Sequence, residues 1–303
     1  MKIGINLLNF GPGATPENFS ESARAAEALG YHFVGVSDHV ALTPDVSSQY
    51  PAPFYDPFTL LAWLSGITQK VELATTVAIV PYRSPLLLAR IGANIDRLSG
   101  GRFILGVGVG WARQEFEALG VPFEKRGAIT NSYLEAILEL WTKDEVSREG
   151  NFVKFERVQT GPRPLASPHP PIWVGGSSDA AMKRAVLFGD AWHPIRVRIS
   201  WLEKKAAELS SIAKSLGRRM PQLCPRILLR PTEEPAGQDR RAGEGTLEQI
   251  HGDFEALDKL GCPYVLLDFF TGDVEATRRL EPTWRIMTTL ADRIFDLPRQ
   301  SLR

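Results

Sequence analysis

The sequence predicts an α/β chain of the (β/α)₈ TIM-barrel class with one insertion after the fourth strand, and three observations carry that prediction. Apolar strand-like runs alternate with segments of helical period, and eight such strand-helix pairs can be counted. The strand runs are apolar without period-two alternation, as parallel strands covered on both faces require. A length of 303 residues, 44% of them apolar, suits one barrel with an insertion at about 142–170, so residues 1–303 are expected to form a single domain.

The elements follow in order. Ile3 to Leu8 is a β-rich run, and Glu17 to Leu29 has helical spacing stopped by Gly30. Phe33 to Ser37 is the second strand, followed by a Pro-rich loop from Val40 to Pro57 that is long enough to line or cover a site. Helix Phe58 to Thr68, strand Val71 to Val80, helix Pro85 to Leu98 and strand Arg102 to Val107 complete the first four units. Arg126 to Trp141 reads as a helix, and Val146 to Pro164 as a small β excursion. The rhythm then resumes with strand Ile172 to Val174, helix Asp179 to Phe188, strand Ala191 to His193 and helix Trp201 to Leu216. Strand Leu223 to Leu229, helix Leu247 to Leu260, strand Tyr264 to Asp268 and a final helix Val274 to Phe295 complete it. Pro231 to Gly245, rich in Pro, Gly and charge, is expected to be a disordered loop.

Composition removes several function classes. The 35 basic and 35 acidic residues are interspersed, without the basic stripe that nucleic-acid binding needs. Cys224 and Cys262 form neither a disulfide framework nor a metal-ligand spacing, so no metal is expected and both read as buried apolar residues. No apolar run reaches membrane-spanning length, and the chain opens on a strand without a charged leader, which predicts a cytoplasmic protein with no membrane partner.

In a barrel of this class, chemistry sits at the C-terminal ends of the strands. Strand two ends in Ser37-Asp38-His39, where the carboxylate can hold a ring tautomer and the imidazole can move a proton; the alternative is a satisfied structural histidine. Strand three ends in Thr75-Thr76-Val77. Strand four dissolves into Gly106, Gly108 and Gly110, which leave one face bare, either to admit something flat or only to relieve crowding inside a barrel or allow a bulge. The Gly-x-Gly-x-Gly spacing does not fit a dinucleotide fingerprint. Strand five ends in Gly175-Gly176-Ser177-Ser178 before a helix, a place for a phosphate or simply a tight turn capped by Ser178. Arg184 is expected to pair with Asp190, leaving Arg196 or Arg198 to reach phosphate oxygens.

Three segments together carry a family resemblance. Glu27 to His39, Leu98 to Trp111 with Glu115-Phe116, and Pro171 to Gly176 followed by Arg184-Ala185 and Gly189 to Trp192 resemble the bacterial luciferase-like oxidoreductases, and most of all their coenzyme F420-dependent branch. The resemblance covers nearly the whole chain. It implies a luciferase-like TIM barrel, cytoplasmic and homodimeric, that holds coenzyme F420, or flavin mononucleotide as the alternative, at the strand ends. It implies hydride transfer to or from a small organic substrate, with a flavin monooxygenase, or a non-catalytic flavin- or deazaflavin-binding protein, as the competing readings.

Carried onto this sequence, the resemblance places Asp38 and His39 beside the ring as catalytic residues, with Thr75, Thr76 and Val77 behind it. Gly108 and Gly110 then lie at the pocket, with Gly175, Gly176, Ser177 and Arg198 at the cofactor and His39 and Trp111 facing substrate. It also implies a cis peptide at the end of strand three, between Thr76 and Val77. Trp111 stands where a sugar-phosphate dehydrogenase group carries glutamate, which argues against glucose-6-phosphate, and Ala191 stands where the family commonly has glycine.

Overall fold

Prolines and small polar residues set where the helices begin. The computed structural model, which describes residues 1–303, starts helices α1 (Pro16–Leu29), α2 (Pro57–Ile67) and α3 (Pro85–Leu98) on a proline, whose missing N–H would be unpaired there anyway. Thr15 and Asp56 cap the first two by accepting from the Asn18 and Thr59 N–H groups, and Gly30, at φ 89°, ends α1 in the left-handed conformation that glycine adopts without steric cost.

The strands form one parallel sheet curled round on itself. They are β1 (Lys2–Asn6), β2 (Phe33–Val36), β3 (Glu72–Thr75), β4 (Phe103–Gly108), β5 (Ile172–Gly175), β6 (Ala191–His193), β7 in two pieces (Gln222–Leu223 and Arg226–Leu228) and β8 (Tyr264–Asp268). Pairing runs β7–β6–β5–β4–β3–β2–β1–β8–β7, with the first piece of β7 on β6 and the second on β8. Cys224-Pro225 joins those pieces, so the two ends of the sheet are consecutive parts of one segment. Helices α4 (Arg126–Thr142), α5 (Asp179–Phe188), α6 (Ile199–Ser215), α7 (Leu247–Lys259) and α8 (Glu281–Arg293) complete the alternation.

Most of the buried apolar residues pack between sheet and helices, while a separate cluster fills the inside of the curl. Phe33, Ala74, Ile104, Trp173, Ala191, Cys224 and Leu266 each come from a different strand segment, leaving β1 as the gap. Gly4 occupies that gap: a Cβ there would lie 2.5 Å from the Phe33 ring, so the glycine admits the phenyl group. Ala191 is therefore a packing residue, and Cys224 and Cys262 are both free and buried.

Four expectations are corrected. The third strand does not run to Val80: β3 stops at Thr75, a two-residue strand follows at Ala78–Ile79, and Val80–Tyr82 is a 3₁₀ turn, with the Thr76–Val77 peptide cis as anticipated. The last helix does not start at Val274. Pro282 fits only the first turn of a helix, so a 3₁₀ turn at Glu275–Arg278 precedes α8. Residues 231–245 are not a disordered loop, because Arg230–Pro231 pairs with Glu244–Gly245 and Arg240 bridges to Asp253 at 2.6 Å. The glycines of β4 do not leave an empty face. A Cβ at Gly106 would lie 2.0 Å from the Thr75 carbonyl oxygen, and one at Gly108 2.6 Å from a Val77 methyl, so the bulge after β3 fills that space. The β excursion is an antiparallel hairpin, Glu145–Glu149 with Lys154–Gln159.

Candidate active site

The C-terminal ends of the strands open into a cavity of about 380 Å³. Its lining includes Asp38, His39, Thr76, Val77, Gly108, Gly110, Trp111, Gly175, Gly176 and Ser177, which the sequence singles out, and Tyr50 and Phe54 from the long loop after β2. Thr75 is not among them. It is fully buried and its hydroxyl donates to the Gly106 carbonyl at 2.7 Å, holding β3 to β4 behind the floor.

At one end stands His39, buried, with its Nδ1 2.6 Å from Glu115 Oε2. Glu115 lies on a short helix, Arg113–Ala118, and has no solvent exposure. It also accepts from the Tyr82 hydroxyl at 2.8 Å and from the Val40 and Ala41 N–H groups at 2.6 and 3.0 Å. Burial raises the Glu115 pKa, but His39 and these N–H donors more than offset it, so the carboxyl lies below its ordinary range and is ionised. A carboxylate only accepts, so the ring donates from Nδ1 and its Nε2 is the nitrogen left for the cavity. Tyr50, Phe54 and Trp111 surround the imidazole at centroid distances of 5.7, 5.4 and 5.6 Å.

Asp38 does not hold the histidine. Successive side chains of an extended segment diverge, and Asp38 turns instead to Arg83, which donates to both of its oxygens at 2.7 and 2.9 Å, and to the Ile79 N–H at 2.8 Å. Complete burial holds the Asp38 pKa above the ordinary carboxylate value even so. Burial likewise pulls on Arg83, but Asp38 and Asp56 keep its guanidinium above the usual value. Asp38 is thus an anchor for the residues after β3.

Between the two ends, Arg226 donates to Asp268 at 2.7 Å and to the Thr76 carbonyl at 2.9 Å. His193 lies 2.9 Å from the Thr76 hydroxyl, and burial lowers its pKa to about 4, so it is neutral.

The far end is built from the turn after β5. Gly176 has φ 103°, Trp192 donates from its ring N–H to the Gly176 carbonyl at 2.7 Å, and Ser178 caps α5 by accepting from the Ala181 N–H. Of the two arginines expected there, Arg196 is at the cavity and Arg198 is not. Arg198 lies outside the cavity, its Nε donating to the Asp239 carbonyl at 2.7 Å. Arg196 and Arg184 line the cavity. Arg184 does not pair with Asp190, whose carboxylate accepts from the Ile172 N–H. It is buried and donates only to neutral oxygens, Asn131 Oδ1 at 2.7 Å and the Gly127 carbonyl at 3.3 Å, and desolvation lowers its pKa. A buried cation without a carboxylate, near the N-terminal end of α5, can hold an anion.

Glu115 appears in the sequence only inside a motif, and Tyr50, Phe54, Arg83 and Arg226 carry no local signal. Their partners lie far along the chain: Glu115 is 76 residues from His39, and Arg83 is 45 from Asp38.

Comparison with known proteins gives this architecture a family. The chain belongs to the luciferase-like monooxygenase family, whose model matches residues 1–241. An uncharacterized protein of Mycobacterium tuberculosis is 32% identical over 205 residues, 63% of this chain and 71% of that one. The FMNH(2)-dependent dimethylsulfone monooxygenase of Pseudomonas putida is 34% identical over 142 residues, 46% of this chain and 39% of the enzyme. Among solved structures, the monooxygenase RslO1 from Streptomyces bottropensis superposes with TM-score 0.79 at 23% identity over 99% of each chain. An F420-dependent secondary alcohol dehydrogenase gives TM-score 0.76 at 17% identity over 96% of this chain and 97% of the other.

Proposed function

We propose that the chain is a coenzyme F420-dependent oxidoreductase acting on a small organic substrate, on a (β/α)₈ frame closed through β7 and as a homodimer. The observation that carries this reading is a single cavity with a histidine-carboxylate pair at one end and Arg184, a buried cation lacking a counter-ion, at the other. A flat group with a phosphate-bearing tail fits those residues. Val77, Gly108 and Gly175, where a Cβ on Gly175 would come within 3.1 Å of Val77, would hold the ring side, and the N-terminus of α5, Ser177 and Arg184 would hold the phosphate. When bound, the deazaflavin supplies or accepts the hydride. The protein's own residues do the rest: Glu115 fixes the Nδ1–H tautomer, Nε2 of His39 holds or delivers the coupled proton, and Tyr50, Phe54 and Trp111 exclude water around it.

A second reading, a flavin mononucleotide-dependent monooxygenase, is favoured by the family's description and by the Pseudomonas relative. Titration of the purified protein with each cofactor, followed by absorbance or fluorescence, decides between them. The expected result is tighter binding of F420. Tight binding of flavin mononucleotide with undetectable binding of F420 overturns the deazaflavin assignment in favour of the monooxygenase.

A further inference from the structure

One arginine of the His39 cavity is held in a conformation that arginine does not favour. Arg196 has φ 52°, in the left-handed region where a Cβ crowds the backbone and glycine or asparagine is the usual occupant. Two other residues besides the glycines share that sign, Arg157 in the hairpin and Gln300 in the turn after Leu297–Arg299, and neither lines this cavity. Contacts with β7 hold the backbone there: the Arg226 N–H donates to the Pro194 carbonyl at 2.8 Å, and the Arg196 N–H donates to the Arg226 carbonyl at 3.0 Å. The Arg196 side chain, by contrast, is exposed, lines the cavity and makes no hydrogen bond or ion pair with the protein. A side chain kept where glycine would relieve the backbone, and used in no contact within the chain, points to a partner outside it.

Its position says which partner. Strands β5 and β6 pair with Gly175 opposite His193, so Arg196 follows β6 as Ser178 follows β5, and the two loops run side by side at the anion end of the cavity. The carboxylates that line the cavity are already taken, Asp38 by Arg83 and Asp268 by Arg226. Arg184 is buried at 6% exposure, whereas Arg196 stands at the mouth. The cavity thus presents two cations without carboxylates, one deep and one open to solvent.

We infer that Arg196 takes a second anion of the ligand whose phosphate Arg184 holds, a carboxylate carried beyond that phosphate toward solvent. The inference rests on the cofactor reading above and sharpens it. The tail of coenzyme F420 continues past its phosphate into carboxylates, whereas flavin mononucleotide ends at the phosphate, so Arg196 is a residue that tells the two apart. A guanidinium suits the task, because its planar fork can meet a carboxylate through two parallel N–H bonds.

The test is fluorescence titration of the whole protein with coenzyme F420 and with its phosphorylated deazaflavin-ribitol core, which has the same ring and a phosphate but no carboxylate. Arg196→Asn removes the charge yet suits the left-handed backbone, so its unfolding midpoint is expected to stay or rise. It is expected to bind F420 about fivefold more weakly, as loss of one exposed charged pair costs, and to bind the core unchanged. Raising salt to about 1 M is expected to narrow that fivefold gap, and Arg196→Lys, which keeps the charge, to recover part of it. Equal weakening of both ligands would put Arg196 on the phosphate, and unchanged F420 affinity in Arg196→Asn would leave it without a ligand; either overturns the assignment. A lowered midpoint overturns it as well, since the side chain is then structural. Absence of F420 binding by the unsubstituted protein overturns the cofactor reading and this assignment with it.

Discussion

The two ends of the His39 cavity are built on opposite electrostatic plans. Around His39 and Asp38 every charge has a protein partner: Glu115 receives four donors, and Arg83 bridges Asp38 and Asp56. At the turn after β5, the buried Arg184 has only a side-chain amide and a backbone carbonyl. The difference teaches where preorganisation resides. The His39 end is complete before anything binds, so its geometry needs no ligand to assemble. The other end is left short of one anion, and a ligand that brings a phosphate removes a standing electrostatic cost there.

Substitutions can break or sharpen that contrast. The largest effect is expected from His39→Asn, which keeps a polar group but removes the titrating nitrogen; steady-state turnover should fall roughly 10²- to 10⁴-fold. Cofactor affinity should change little, and unchanged turnover would mean that His39 is structural. Next is Arg83→Met, which strands the buried Asp38. Loss of one partner of a buried pair costs about 3–5 kcal/mol, readable from urea unfolding. The same change at the other end should behave differently. Arg184→Met removes a cation without stranding a carboxylate, so stability without ligand should hold or rise, while affinity for the phosphate-bearing cofactor falls about 10- to 100-fold. If both methionine variants lose stability alike, the contrast between the ends is wrong.

The smallest effect concerns acid. The Glu115 pKa lies below its ordinary value of 4.5 in the fold, so the unfolded chain binds more protons and the stability from Glu115 is present above that value. That contribution is lost as the pH falls through the depressed pKa. The unfolding free energy of Glu115→Gln should therefore converge on that of the unsubstituted protein as the pH drops below 4.5, and a constant gap would show that the carboxylate's charge is not what matters.

Much of this architecture was legible from local patterns. The strand-helix rhythm, the stop of α1 at Gly30 and the Gly175 to Ser178 turn all depend on neighbours in the chain, and the structure has them where the pattern puts them. Asp38 and His39 were identifiable as residues at a strand end, but not their partners. An Asp-His dipeptide suggests mutual contact, whereas adjacent side chains point apart, and the carboxylate that actually meets the imidazole arrives from a helix after β4. Arg184 was assigned to Asp190 for a similar reason, since the sequence shows that an arginine follows the turn but not which way α5 is rotated.

The close approach of the β3 bulge to β4 also defines which substitutions the protein can survive. In a saturation library across 106, 108 and 175, Gly106 should admit nothing else, because the atom 2.0 Å from a new Cβ is a backbone oxygen that cannot yield. Gly108 and Gly175 instead meet the methyls of one side chain, Val77, at 2.6 and 3.1 Å. Their tolerance is therefore conditional: alanine at either position becomes acceptable once Val77 is shortened to alanine. These three glycines, so alike in the sequence, divide into one fixed position and two that can change only in company with a third residue.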